Sequence, residues 1–159
     1  MQRREFLNSI AVIGLTANFK ITKKDQFYIG KEFTKVIETA DIPSEAGHIF
    51  SANLLQKLAN EYVPGSILGT IGFDNNLVIK ISEASHMINR LRFVNHKLLA
   101  DIVLLNTEWG KRLALLNKTE NVKFYLAGQC ELQQEFLNSY MPDDYQIITI
   151  FAGISPNLA

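Results

Sequence analysis

The sequence predicts an α+β fold, a small and mostly antiparallel β-barrel with two or three helices packed outside. Three observations lead there: many short β-prone runs separated by polar turns, one long period-2 hairpin centred on Asn95-His96, and only a few segments with helical periodicity. A length of 159 residues, with 47% hydrophobic and 20% charged residues, fits a single domain, residues 1–159, around one core. Sixteen basic residues balance sixteen acidic ones, so no bulk field draws the chain to nucleic acid or to an anionic membrane surface. The single cysteine, Cys130, allows no internal disulfide and no cysteine-built metal site.

Two arginines, Arg3 and Arg4, precede the apolar run Ile10 to Leu15. That run is shorter than the roughly 7–15 residues of a secretory apolar core, and no small-x-small cleavage site follows, so a first strand is expected there. No stretch reaches the roughly 18 apolar residues needed to span a bilayer, and a soluble chain is expected.

Asn8 to Ile21, Gln26 to Ile29 and Phe33 to Thr39 read as strands, with a turn at Asp41 to Glu45. Ser51 can cap a helix whose Leu54, Leu55, Leu58 and Tyr62 share one side and which stops before Pro64-Gly65. Ile67 to Ile71 and Leu77 to Ile81 are expected strands, with a turn at Asp74-Asn75-Asn76 between them. In the hairpin, Met87, Asn89, Leu91 and Phe93 alternate with His86, Ile88, Arg90 and Arg92, and the return strand is Lys97 to Leu105. Asn106 or Thr107 can cap a helix from Glu108 to Leu116 with Trp109, Leu113 and Leu116 as its apolar stripe. After a polar turn at Asn117 to Asn121, Val122 to Glu131 reads as a strand, Gln133 to Tyr140 as a short helix and Tyr145 to Phe151 as a last strand.

The residue types capable of chemistry form no recognisable motif. Ser85 and His86 are neighbours, and consecutive strand residues point to opposite faces, so they are not expected to pair as nucleophile and base. His96 reads as a hairpin-tip residue, His48 has no ligand-spaced companion, and Cys130 reads as a small buried hydrophobe. Gly69, Gly72, Gly110 and Gly128 match neither phosphate-loop spacing, and turns or close packing account for them. Trp109, Phe93 and Phe124 lack an accompanying basic cluster and read as core rather than as a base-stacking platform. No cofactor and no metal is expected.

Several phrases taken in order carry more information than any one alone. They are Gly47-His48-Ile49-Phe50-Ser51 with its helix, Leu68-Gly69-Thr70-Ile71, Ser85-His86-Met87-Ile88, and Leu104-Leu105-Asn106-Thr107-Glu108-Trp109-Gly110-Lys111, with a closing strand Ile147 to Ala152. The succession, from about Gly47 to Asn157, resembles the prohead (head-maturation) proteases of tailed bacteriophages, which share a small barrel with the herpesvirus assemblins. The resemblance implies a catalytic histidine within a phrase like L-G-E-L-x-H-P, which falls on Phe73, and a nucleophile within one like G-x-S-S-R-G, which falls on Tyr125 or Leu126. A phenylalanine accepts no proton, a leucine attacks no carbonyl, and a tyrosine with a pKa near 10 and no base is a poor nucleophile.

The resemblance would put His86 in the neighbourhood of a supporting polar residue, as a remnant with nothing to orient. The resemblance therefore implies a vestigial protease fold serving as a structural phage-head protein, a decoration, cement or scaffold-core component. The partners would be the major capsid protein, other head proteins or further copies of the chain, bound through patches such as exposed members of Phe27, Tyr28, Phe33 and Phe136. No nucleic acid and no membrane are expected, and the location would be the virion head. The rival expectation is an active serine peptidase using Ser85 or Ser82 with His86 or His96.

Overall fold

The computed structural model describes residues 32–73, 78–131 and 139–154. The expected strands before residue 32, the Asp74-Asn75-Asn76 turn, most of the Gln133 to Tyr140 helix and the segment after Ile154 lie outside them, as do Phe27, Tyr28 and Phe136. Within them, β1 (Phe33–Thr39), α1 (Ala52–Glu61), β2 (Ile67–Gly69), β3 (His86–Val94), β4 (Lys97–Leu104), α2 (Glu108–Thr119), β5 (Val122–Gln129) and β6 (Gln146–Ile154) follow in order.

The strands form two antiparallel sheets, one of order β1-β4-β3-β2 and one pairing β5 with β6. A short parallel bridge between Ile71 and Ala152 joins them, with Gly72 N bonded to Ala152 O (2.8 Å) and Ala152 N to Thr70 O (2.9 Å). The expected closed barrel is not formed among the described residues. β5 and β1 approach through side chains, with the Phe33 and Phe124 rings 5.9 Å apart, and no backbone ladder links them. One hydrophobic core nevertheless spans both sheets, from Leu54, Leu55 and Leu58 of α1 through Ile88 and Ile102 to Phe124 and Ile150.

α1 begins where Ser51 Oγ accepts from Leu54 N (3.1 Å), satisfying one of the amide groups that a helix start leaves unpaired. The β3–β4 turn places both Asn95 (φ 51°) and His96 (φ 62°) in the left-handed region, which matches the twist of the strands it joins. Two sequence expectations fail within this sheet. A register shift between Ile88 and Arg90 inserts an extra residue into β3, so Ile88, Leu91 and Phe93 all reach the core, Met87 packs on the smaller cluster around Leu68, and Arg90 and Arg92 meet Asp101 on the other face. The second expected strand after residue 77 is absent over 78–81. Ala84 N bonds back to Lys80 O (3.1 Å), and Ile79 plugs a small cluster with Leu68, Ala84 and Leu105.

The outward face of the bulged sheet holds a buried charge. Asp101, with its side chain 2% exposed, meets Arg90 Nε at 2.9 Å, Arg92 Nη2 at 2.6 Å and Thr34 Oγ1 at 2.7 Å. Burial alone would raise its pKa, but bonds from Arg92, Thr34 and Arg90 outweigh it, and the carboxyl is held below the usual range. None of the described helices is long and apolar enough to cross a membrane.

Candidate functional site

Both ends of the parallel bridge converge on one cluster of rings. Gly72 (φ 77°) turns the chain after β2 beside β6, and the Phe73 ring stacks on Phe151, with centroids 5.6 Å apart and planes at 18°. Phe151 is the direct cross-strand partner of Tyr125, whose ring stacks on its other neighbour at 5.4 Å and 27°. Phe73, Phe151 and Tyr125 therefore form a continuous, half-buried stack on one face of the β5–β6 ribbon. Leu126, one residue on, points to the opposite face and packs against the core. Of the two positions that the sequence left open, Tyr125 is the one that shares a face with Phe73.

The polar end of Tyr125 is closed off. Its hydroxyl oxygen is excluded from solvent and lies beside the Glu45 carboxylate, while Lys123, on the same face, pairs with Glu45 at 2.8 Å. Burial, followed by the nearby Glu45 carboxylate, pushes the phenol pKa up. Lys123 holds the Glu45 carboxyl below its usual range. Such a tyrosine stays protonated at neutral pH.

Ser85 and His86 overturn the expectation that they point apart. Ser85 precedes the first residue of β3, where the alternation of side chains has not begun, and its Oγ lies 2.8 Å from His86 Nδ1. His86 Nε2 lies 2.7 Å from the Ile150 carbonyl oxygen. A carbonyl only accepts, so Nε2 carries the proton, Nδ1 is the acceptor and the Ser85 hydroxyl donates to it. Both residues are fully buried. The imidazole meets the Phe124 ring edge-on at 5.1 Å, and Gly69 leaves no space between ring and Ile150, since a Cβ there would collide with His86 Nε2 and the Ile150 oxygen.

Burial pulls the His86 pKa down to about 4, against the opposing effect of its bond to Ile150. Phe124 and Tyr125 project from opposite faces of β5, so the Ser85–His86 pair is on the core side of the strand and the aromatic stack on the other.

No family model matches this sequence, and no curated protein matches it. Among solved structures, the chain is similar to the bacteriophage T4 capsid assembly protease gp21, with a TM-score of 0.66 at 10% identity, covering 82% of this chain and 94% of that chain. The fold is prohead protease-like. Within this prohead protease-like fold the remaining candidates separate. Ser82 is exposed in the turn before β3, and His96 is exposed at the hairpin tip with its ring against Phe93. His48 sits in a tight loop closed by Ser44 Oγ (3.1 Å), and Cys130 lies just past the end of β5, half-buried rather than buried. Among the described residues, no group of three or more His, Cys, Asp or Glu could hold a metal ion.

Two residues that the sequence gave no reason to single out also stand out in the structure. Glu38 in β1 is pushed up to about 7, first by burial and then by Glu45. Phe151 is the other, because only the cross-strand register reveals it as the ring between positions 73 and 125. A hydrophobic residue mid-strand carries no such signal in sequence.

Proposed function

We propose that this chain is a non-catalytic structural protein of a tailed-phage head, a decoration, cement or scaffold-core component built on a prohead protease-like fold. The observation that carries this reading is the Phe73–Phe151–Tyr125 stack. It occupies the positions where the resemblance puts a catalytic base and a nucleophile, and fills them with rings that neither take up a proton nor attack a carbonyl at neutral pH. Function is set by the site rather than by the fold, and a scaffold can persist after its chemistry is replaced. On this reading the chain works in the phage head and its partners are the major capsid protein or other head proteins.

A second reading has one specific observation in its favour, the hydrogen bond from Ser85 to His86. It is an active serine peptidase in which Ser85 attacks and His86 takes the proton. Against it, both side chains are fully buried and the second imidazole nitrogen is committed to Ile150, so an acyl substrate has no approach to Oγ. Mass spectrometry of immature and mature heads, combined with a peptide-hydrolysis assay on the purified chain, separates the readings. Incorporation without hydrolysis is expected, and absence from both head forms overturns the structural role.

A further inference from the structure

We propose that the outward face of β1, β4 and β3 docks an extended acidic segment of a partner protein, whose carboxylates meet Arg90 and Arg92 and whose apolar side chains lie on Val36, Leu99 and Val94. The strand register builds this face. Val36, Leu99 and Arg92 stand side by side across the three strands, Thr34, Asp101 and Arg90 form the next such row, and Lys97 is paired with Val94. Leu98, Ala100 and Ile102 belong to the core, so Leu99 and Asp101 point away from it. Val36 is 50% exposed and Val94 45%, with Leu99 half-buried beside them. Apolar side chains on three adjacent strands, rimmed by charge, form a surface that a partner can remove from water.

Asp101 prepares the polar half of the face. One buried carboxylate holds two guanidinium groups, Arg90 Nε on one oxygen and Arg92 Nη2 on the other, so a positive charge is left over and both side chains are ordered before any partner arrives. Among the described residues Arg90 bonds through Nε alone, and its side chain is 60% exposed, which leaves its two Nη groups for a second carboxylate. Lys97 is an exposed cation on the same face. Glu32, the exposed carboxylate at the rim, already accepts from Asn89 Nδ2. Arg90, Arg92 and Lys97 thus stand against two carboxylates, both engaged.

Other occupants fit less well. A second copy brought face to face would set Arg90, Arg92 and Lys97 against the same three cations. Residues 1–31 of this chain carry Arg3, Arg4, Lys20, Lys23, Lys24 and Lys31 against Glu5 and Asp25, the same sign again. Nucleic acid would bring anionic phosphates but nothing to cover two valines and a leucine, and this face offers no ring on which a base could stack. Trp109, which the sequence suggested would be core and which is 38% exposed, sits instead on α2 with Arg112 over its ring. A polypeptide carrying both acidic and apolar residues matches both halves. Arg90, Arg92 and Val94 follow at intervals of two along β3, about 7 Å apart, which is the interval between same-side residues of an extended peptide. The fitting segment therefore alternates acidic-x-acidic-x-apolar.

Nuclear magnetic resonance titration of the full chain with the peptide Leu-Ser-Glu-Ser-Glu-Ser-Leu, whose order is the same from either end, tests the proposal. Shifts are expected in the amides of β1, β3 and β4 and in the Nε–H signals of Arg90 and Arg92, and they should diminish as salt is raised. Arg90→Gln, which keeps a donor for Asp101, should weaken binding about three- to fivefold. Val36→Ser, at a half-exposed position, should weaken it about twofold, with the folding of both variants checked by circular dichroism. The peptide Leu-Ser-Lys-Ser-Lys-Ser-Leu and a single-stranded thymidine oligonucleotide should leave this face unshifted. No shifts with the acidic peptide, shifts confined to another face, an equal response to the lysine peptide or the oligonucleotide, or unchanged affinity in either variant would overturn the proposal.

Discussion

The two faces of the β5–β6 ribbon hold opposite kinds of residues, and their roles run counter to their chemistry. The core face packs on a serine and a histidine at the start of β3, joined by a hydrogen bond and sealed at full burial. The other face, half open to solvent, carries three stacked rings. Groups that would be reactive in a cleft act here as a structural clamp, because Nε2 ties β3 to β6 through Ile150 and Nδ1 receives the Ser85 hydroxyl. On the accessible face the charged groups beside the rings, Lys123 and Glu45, are paired with each other. Accessibility, rather than residue type, decides which constellation can be a site.

The tightest point of the clamp predicts the largest effect. Gly69→Ala places a methyl group against the His86 ring and the Ile150 carbonyl, and backbone cannot yield there without parting β2 from β6. The unfolding free energy from urea titration should fall by about 3 kcal/mol or more. Substituting Gly72, whose added Cβ would meet open space on the accessible side, should cost only the strain of its positive φ, about 1 kcal/mol.

Next comes the pH response of the clamp. In the unfolded chain His86 titrates near 6.5, and in the folded protein near 4. Above pH 6.5 both states are neutral there and stability is intact. As pH falls from 6.5 towards 4 the unfolded chain gains a proton that the folded one refuses, so stability drops, by about 3 kcal/mol in total at 1.36 kcal/mol per pKa unit. His86→Gln should be less stable at pH 7 yet lose this part of the acid slope, measured as the midpoint of chemical unfolding against pH.

Glu38 has the opposite sense. Its folded pKa of about 7 lies above the ordinary 4.5, so its contribution is complete below pH 4.5 and is lost as pH rises through 7. Glu38→Gln should therefore stabilise the protein at pH 8 by about 1–2 kcal/mol and change little at pH 4.

The aromatic face gives the smaller effects. Phe151→Ala removes the ring shared by both stacks, and because all three rings are half-buried the cost should be about 2 kcal/mol, below that of a fully buried phenylalanine. Tyr125→Phe deletes a solvent-excluded hydroxyl beside the Glu45 carboxylate, and should change stability by no more than about 1 kcal/mol in either direction. A loss of more than that on Tyr125→Phe would show that the hydroxyl is bonded and the stack is not purely apolar.

Much of this was legible in sequence wherever local rules act alone. Ser51 as a helix cap, a second cap at Asn106 or Thr107 that the structure resolves to Thr107, the Asn95-His96 turn, and the strand Phe33 to Thr39 all follow from side chains acting on their own backbone. What failed depends on partners distant in the chain. The bulge in β3 reverses which of its later residues face the core, and only the pairing with β4 sets it. Ser85 and His86 were misread because the strand starts at His86, not before it. The barrel was expected closed because strand count is visible in sequence, whereas the packing of Phe33 on Phe124 between β1 and β5 is not. Positions 73 and 125 came from ordered phrases, but that they meet across Phe151 required the register of β5 with β6.

The measurement that bears most directly on the contrast between the two faces is active-site labelling of the native chain with a fluorophosphonate, read by intact-mass and peptide mass spectrometry. The account predicts no modification at Ser85 or Ser82 under native conditions at neutral pH, whether or not His86 is present. Stoichiometric labelling of Ser85 that disappears in His86→Gln would contradict it, and would make the buried pair a working nucleophile and base.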